Sequence, residues 1–245
     1  MLLWLLLLAV AASIRAEGDS LRVASEARFR ASHVIVPAAL IAAGSLGVEN
    51  GWLVKEKRIL RNDLSDLRGG KRLHVDDELQ YVPLALNMVL GLTGVGSRHS
   101  LRERVAATAT ACAATALMVN GVKHTVHEKR PYGNRLNSFP SGHTATAFMG
   151  AELLREEYGG GIGVGAYALA TSIAFLRLYN DRHWLNDVVA GAGVGILSAR
   201  IGYWLLPTEC RLLGWDKGRG TTAATVVPLY SPACRGVQVA VTVEW

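Results

Sequence analysis

The chain has 245 residues, half of them hydrophobic but only 7% aromatic, with a net charge of +6 and a pI near 9.4. That length suits one or two domains with ample material for a core, and apolar content dominated by Ala, Val, Leu and Gly favours close-packed helices over a large sheet. The basic balance suits an anionic partner, a phosphate ester or an acidic membrane surface; dispersed charges without interleaved aromatics argue against nucleic acid.

Residues 2–13 are almost uniformly apolar and are followed by Arg15-Ala16-Glu17-Gly18. They are too short to span a bilayer, so residues 1–16 are expected to be a secretory signal, with an uncleaved anchor as the alternative. An apolar run over 34–48, interrupted by Pro37, comes next. Residues 17–78 are therefore expected to hold an N-terminal helix and then a connector. The stretch Glu49–Glu78 carries seven Lys/Arg and seven Asp/Glu, and this balance predicts a solvated connector with some helix. Asp76-Asp77-Glu78 invites a metal-site reading, but an acidic helix start ahead of the run 79–97 is the plainer one.

Further uncharged runs cover 79–97, 105–122, 158–176 and 188–199, the last extended by 201–208, with a shorter one at 144–151. Their lengths approach the roughly 20 residues needed to cross a bilayer. They are also rich in Gly, Ala and Thr, which suits close helix contact in membranes and in water-soluble bundles alike. Residues 79–206 are the expected helical core, and 207–245 a β-rich tail. In that tail Val237, Val239, Val241 and Val243 alternate with other residues, the period of a strand, and with 221–230 they predict a hairpin. Cys112 reads as a small core residue. Cys210 and Cys234 flank the tail as a disulfide or as two thiols, and the absence of CxxC implies no thiolate metal site.

The chemistry concentrates between Lys123 and Asp187. Lys123, Arg130 and Arg177 are three cations, and the two guanidinium groups suit bidentate contact with phosphate oxygens. Pro140-Ser141-Gly142-His143 opens an apolar run, which places unpaired backbone N–H groups at a helix start, where anions bind. His183 and Asp187 are four apart, so on one helix face the carboxylate can orient the imidazole. His143 is available to protonate a leaving oxygen. If successive helices alternate direction, all three blocks fall at one end of the bundle. His33, His74 and His99 read as structural, and Lys129 as a solvated or steering charge. His124 and His127 with Glu128 have metal-pair spacing but lack an evident third ligand. Trp184 reads as a packing residue.

Lys123-x6-Arg130-Pro131, Pro140-Ser141-Gly142-His143 and Arg177-x5-His183-x3-Asp187 resemble the three signature motifs of the type 2 phosphatidic acid phosphatase superfamily. That superfamily also holds bacterial non-specific acid phosphatases and vanadium haloperoxidases. Ser138-Phe139, Thr144 to Ala147 and Trp184 also look like bacterial members. The resemblance implies an all-α bundle of about five to six core helices, membrane-associated, to which the hairpin is appended. It implies that His183 attacks phosphorus, Asp187 fixes its tautomer, and His143 protonates the leaving alcohol. It places Lys123, Arg130, Ser141, Gly142 and Arg177 on the phosphate oxygens, with no metal or other cofactor required. One departure is visible: the third motif usually begins Ser-Arg, and Leu176 stands here, which predicts an effect on rate or substrate choice rather than loss of activity.

These expectations converge on a phosphatase acting on monoesters or pyrophosphates, with a phosphorylated lipid of the bacterial envelope as substrate. A broad-specificity soluble periplasmic acid phosphatase is the alternative, and a vanadium haloperoxidase a third for which the chain is short. If the signal is cleaved and every later run spans, the motifs fall on the cytoplasmic side. A periplasmic site requires that 34–48 not cross fully, or that the N-terminal segment stay attached. At 15 residues with a proline, 34–48 is the run least suited to cross, so a membrane-associated bundle with a periplasmic site is expected.

Overall fold

The computed structural model describes residues 32–215 and, further on, the backbone of two strands; the expected signal over residues 1–16 lies outside the described residues. Helix α1 (Ser32–Glu49) meets α2 (Gly51–Arg68) at a bend of 91°. Asn50 sits at the bend, and its side-chain oxygen accepts from the amides of Trp52 and Leu53 at 3.1 and 3.3 Å, an N-cap that starts α2 afresh in a new direction. Short α3 (Asp76–Leu79) and α4 (Val82–Val89) follow. Then come α5 (Leu101–Thr125), opened by a Ser100–Glu103 capping box, α6 (Gly142–Tyr158), α7 (Gly160–Tyr179) and α8 (Leu185–Leu212).

A single residue, Gly159 at φ 87°, separates α6 from α7, a backbone conformation suited to glycine. The reversal lets Ala147, Ala151 and Leu154 of α6 pack on Ile162, Ala166, Ala170 and Ile173 of α7. Helix α8 lies against α6 so closely that a Cβ on Gly191 would come within 2.6 Å of the Ser141 carbonyl oxygen. Val119 of α5, Ala145 of α6 and Val194 of α8 close a second cluster. As a result the C-terminal ends of α5 and α7 and the N-terminal ends of α6 and α8 meet at one end of the bundle.

The stretch from Glu49 to Glu78, expected as a solvated connector with some helix, is mostly helical and is buried at a few positions. It forms an 18-residue helix whose Lys57, Leu64 and Arg68 are buried, then a turn that leads into α3. Lys57, Arg61 and Arg68 meet distant carboxylates, while Lys55, Glu56, Arg58, Asp63 and Asp66 stay exposed. Asp181, in the turn between α7 and α8, accepts from Arg68 at 2.6 Å and from Arg61 at 3.1 Å. Arg68 also donates to the Tyr179 carbonyl at 2.6 Å, and Asn180 accepts from the Leu73 amide at 3.0 Å. Asp181 holds a positive φ of 55°, uncommon for a residue with a Cβ, and these contacts over-determine it.

Helices α5, α7 and α8 are long and apolar enough to cross a membrane, with mean hydropathies of 1.5, 1.4 and 1.4. The most apolar stretch of α5 is only 22% buried and that of α7 33%, so much of their apolar surface faces outward, including Leu117 and Val164. From Pro207 onward the chain forms a separate unit. It contains the expected hairpin, β1 (Ala224–Ser231) paired antiparallel with β2 (Gly236–Val243) in a register running from Ala224↔Val243 to Ser231↔Gly236. Cys234 lies outside the described residues, and with it the possible pairing to Cys210.

Candidate active site

The site is built on helix ends. Ser141 caps α6: its hydroxyl accepts from the Thr144 amide at 3.4 Å, and its own amide donates to the Asp187 carbonyl at 3.0 Å. The first intrahelical donor of α6 is the Ala145 amide, which leaves the amides of Gly142 and His143 at the positive end of the helix without partners in the turn behind them. Lys123, near the end of α5, reaches this point; a Cβ on Gly142 would lie 4.0 Å from its ammonium nitrogen. Glycine here keeps room between the helix start and a cation.

Arg130 sits on the loop from α5 to α6, which folds back on itself through Arg130 N–H to Arg135 C=O and Ser138 N–H to Glu128 C=O. Its Nε donates to the Asn137 side chain at 3.1 Å. Burial, then the charges of Arg177, Arg135 and Arg182, pull its pKa below the ordinary arginine value. The cations therefore crowd one another, and an anion placed among them relieves the repulsion.

His183 and Asp187 meet as expected, with His183 Nδ1 3.2 Å from Asp187 Oδ2. The sequence reading put both on a helix face, whereas His183 lies in the turn just before α8. The cause is a cap: Asp187 Oδ2, at the third position of α8, accepts from the Trp184 amide at 2.9 Å and so defines where the helix begins. Ser138 Oγ donates to the same carboxylate oxygen, and Asn186 Nδ2 to its Oδ1 at 3.2 Å. Asp187 is thus held by several donors and fixes the His183 ring through Nδ1, leaving Nε2 as the nitrogen with the open lone pair. Burial, followed by the charges of Arg130, Arg177 and Lys123, pushes His183 well below the ordinary histidine pKa, so the ring is neutral.

A second layer lies behind this pair. Buried Lys57 of α2 meets Glu128 and donates to Asn186 Oδ1 at 3.2 Å, while Asn186 Nδ2 donates to Glu128 at 3.0 Å. Burial beside the Asp187 carboxylate pushes Glu128 up to about 7. Glu128 therefore belongs to the support of the His183 pair rather than to a metal pair with His124 and His127. Trp184 donates from its indole nitrogen to the Lys129 carbonyl at 2.7 Å and has Lys57 5.3 Å above its ring.

Arg177 is 3% exposed, and its Nη1 donates to Asp76 at 2.6 Å and Asp77 at 2.8 Å; its Nε has no hydrogen-bond partner among the described residues. Asp77 Oδ1 also lies 3.0 Å from His143 Nε2. The acidic cluster expected only to start a helix does begin α3, yet two of its side chains form one wall of the site. Sequence spacing could not show this, because the partners are 66 to 101 residues away. Burial alone would raise the Asp77 carboxyl, but Arg177 and His143 outweigh it and hold it below its ordinary value. His143 is lowered by burial and by Arg177, against the opposing pull of Asp77.

The three motif blocks thus meet at one end of the helical bundle, as a cradle of cations and helix-start amides facing a carboxylate-held histidine. Residues 104–211 match the PAP2 superfamily. It is similar to the lipid A 1-phosphatase of Porphyromonas gingivalis, at 35% identity over 171 residues, which cover 66% of this chain and 38% of that protein. The chain spans well under half the length of that relative. Among solved structures, the crystal structure of Aquifex aeolicus LpxE aligns over 61% of this chain and 93% of its own with 22% identity and a TM-score of 0.46.

Proposed function

We propose that this chain hydrolyses phosphate monoesters or pyrophosphates of a bacterial envelope lipid, through a phosphohistidine on His183 and without a metal. The observation that carries the reading is His183 itself: neutral, buried, anchored by Asp187 at Nδ1, and presented to a cluster of Lys123, Arg130 and Arg177. A neutral imidazole with a fixed tautomer is a nucleophile, and the cations together with the Gly142 amide stabilise charge on the equatorial oxygens of phosphorus. In the first step His183 Nε2 forms a bond to phosphorus as the bond to the leaving oxygen breaks, and His143 gives that oxygen a proton. In the second, His143 takes a proton from water, whose oxygen displaces His183 and releases phosphate. Ser141 is buried as the helix cap, so its part is to aim the helix start at the anion.

The name of the Porphyromonas relative makes the 1-phosphate of lipid A the first substrate to try. Three apolar helices, of which α5 and α7 turn much apolar surface outward, suit a lipid substrate reached from within the bilayer plane. A periplasmic site is part of this reading, and the 91° bend means that α1 and α2 do not run on as one straight span. The test is phosphate release in EDTA by purified protein, comparing lipid phosphates with p-nitrophenyl phosphate. Preference for a lipid phosphate is the expected result. Equal or better turnover of the soluble ester contradicts the lipid reading, and dependence on added metal contradicts the mechanism.

A further inference from the structure

His143 is asked to donate a proton in surroundings that work against its holding one. Arg177 on α7, Lys123 on α5 and the His183 ring in the turn before α8 all lie near it, and it is partly buried. The opposing groups are Asp76 and Asp77 at the start of α3. Only Asp77 touches the ring, with Oδ1 3.0 Å from Nε2. Asp76 is committed elsewhere, to Arg177 at 2.6 Å and Asn180 at 3.2 Å, and it anchors the segment that presents Asp77.

From this geometry we propose that Asp77 is the positioning residue of the acid: it holds His143 by Nε2, so that Nδ1 carries the proton given to the leaving alcohol. The proposal rests on the phosphatase reading above and adds a residue that the three motifs do not contain. It makes the site a pair of histidine–aspartate dyads with opposite tasks. Asp187 binds Nδ1 of a neutral ring and leaves Nε2 to attack, whereas Asp77 binds Nε2 of a charged ring and leaves Nδ1 to donate. As the P–O bond breaks, the Nδ1–H bond breaks with it and the proton joins the leaving oxygen, so the alcohol departs neutral and His143 is left neutral. Water restores the proton in the second step. The Asp77 side chain is 48% exposed, so the contact is partly screened and its effect moderate.

General-acid assistance matters for a poor leaving group and hardly for a good one, and this provides the test. Asp77→Asn keeps the shape, and Arg177 retains Asp76, so the phosphate cradle survives. With an alkyl or lipid phosphate, kcat is expected to fall at least about tenfold, and with p-nitrophenyl phosphate by less than about threefold. The basic limb of the pH profile moves to lower pH, inhibition by inorganic phosphate is not weakened, and Asp77→Glu recovers part of the loss on the alkyl ester. An equal fall on both esters, or none on either, overturns the proposal while the phosphatase reading stands. A wild-type protein inactive on both esters overturns the reading and the proposal together.

Discussion

Helix α6 carries a buried cluster of charge at each end, and the two are built differently. At its C-terminal end Glu152 pairs with Arg155 at 2.7 Å and Arg200 at 2.6 Å and accepts from Tyr167 at 2.7 Å. Glu156 meets Arg200 at 2.5 Å, and Glu157 meets His99 at 2.9 Å and Tyr203 at 2.6 Å. Every carboxylate there is answered by a cation or a hydroxyl. At the N-terminal end Lys123 and Arg130 lie near Arg177, and Arg177 alone of the three has a carboxylate hydrogen bond among the described residues. A matched network is a structural device; an unmatched excess of donors is a place for an anion. The distinction is visible only because both clusters are buried on one helix.

That contrast can be broken at either end. The largest effect is expected from His183→Ala, which should lower kcat at least about 10³-fold with little change in melting temperature, measured by phosphate release and thermal unfolding in detergent. The opposite pattern is expected from Arg200→Leu, which removes one cation from Glu152 and Glu156 while both keep Arg155. Unfolding free energy should fall by about 1.5–3 kcal/mol while the protein that remains folded keeps its KM. Next comes the pH profile. His183 must be neutral and His143 protonated, and both are depressed, so kcat/KM should be bell-shaped with its maximum below the ordinary histidine value of 6.5. It should decline as pH rises through the lowered pKa of His143, once ionisation of the substrate phosphate is allowed for. An alkaline maximum contradicts the assignment. Smallest is Tyr167→Phe, which removes one hydroxyl from Glu152 and should cost about 1 kcal/mol of stability with activity unaffected.

The sequence made the motif residues legible because each block sits at or just beyond a helix end, next to a long uncharged run. With short reversals such as Gly159, direction alternates and the ends meet. The terminal hairpin was legible from period-two alternation alone. What the sequence hid is the role of α2 and α3. A stretch with equal numbers of acids and bases says nothing about whether its partners are neighbours, water or residues a hundred positions on. Lys57 finds Glu128, Arg68 finds Asp181, and Asp77 finds His143 only through the fold. Asp76 and Asp77 at the start of α3 satisfy the rule for acidic residues at helix starts, and that local sufficiency concealed their long-range use. The same limit placed His183 on a helix: the four-residue spacing is compatible with a helical turn, but Asp187 spends its carboxylate on the Trp184 amide and begins α8 after the histidine.

The most direct test of the account is to trap the intermediate. Protein mixed with a phosphate ester labelled on phosphorus and quenched within one turnover should carry label that is stable in base, labile in acid and located on His183. The label should be absent from His183→Ala. Release of phosphate by that variant at the wild-type rate, or turnover by the wild type without labelled histidine, contradicts it.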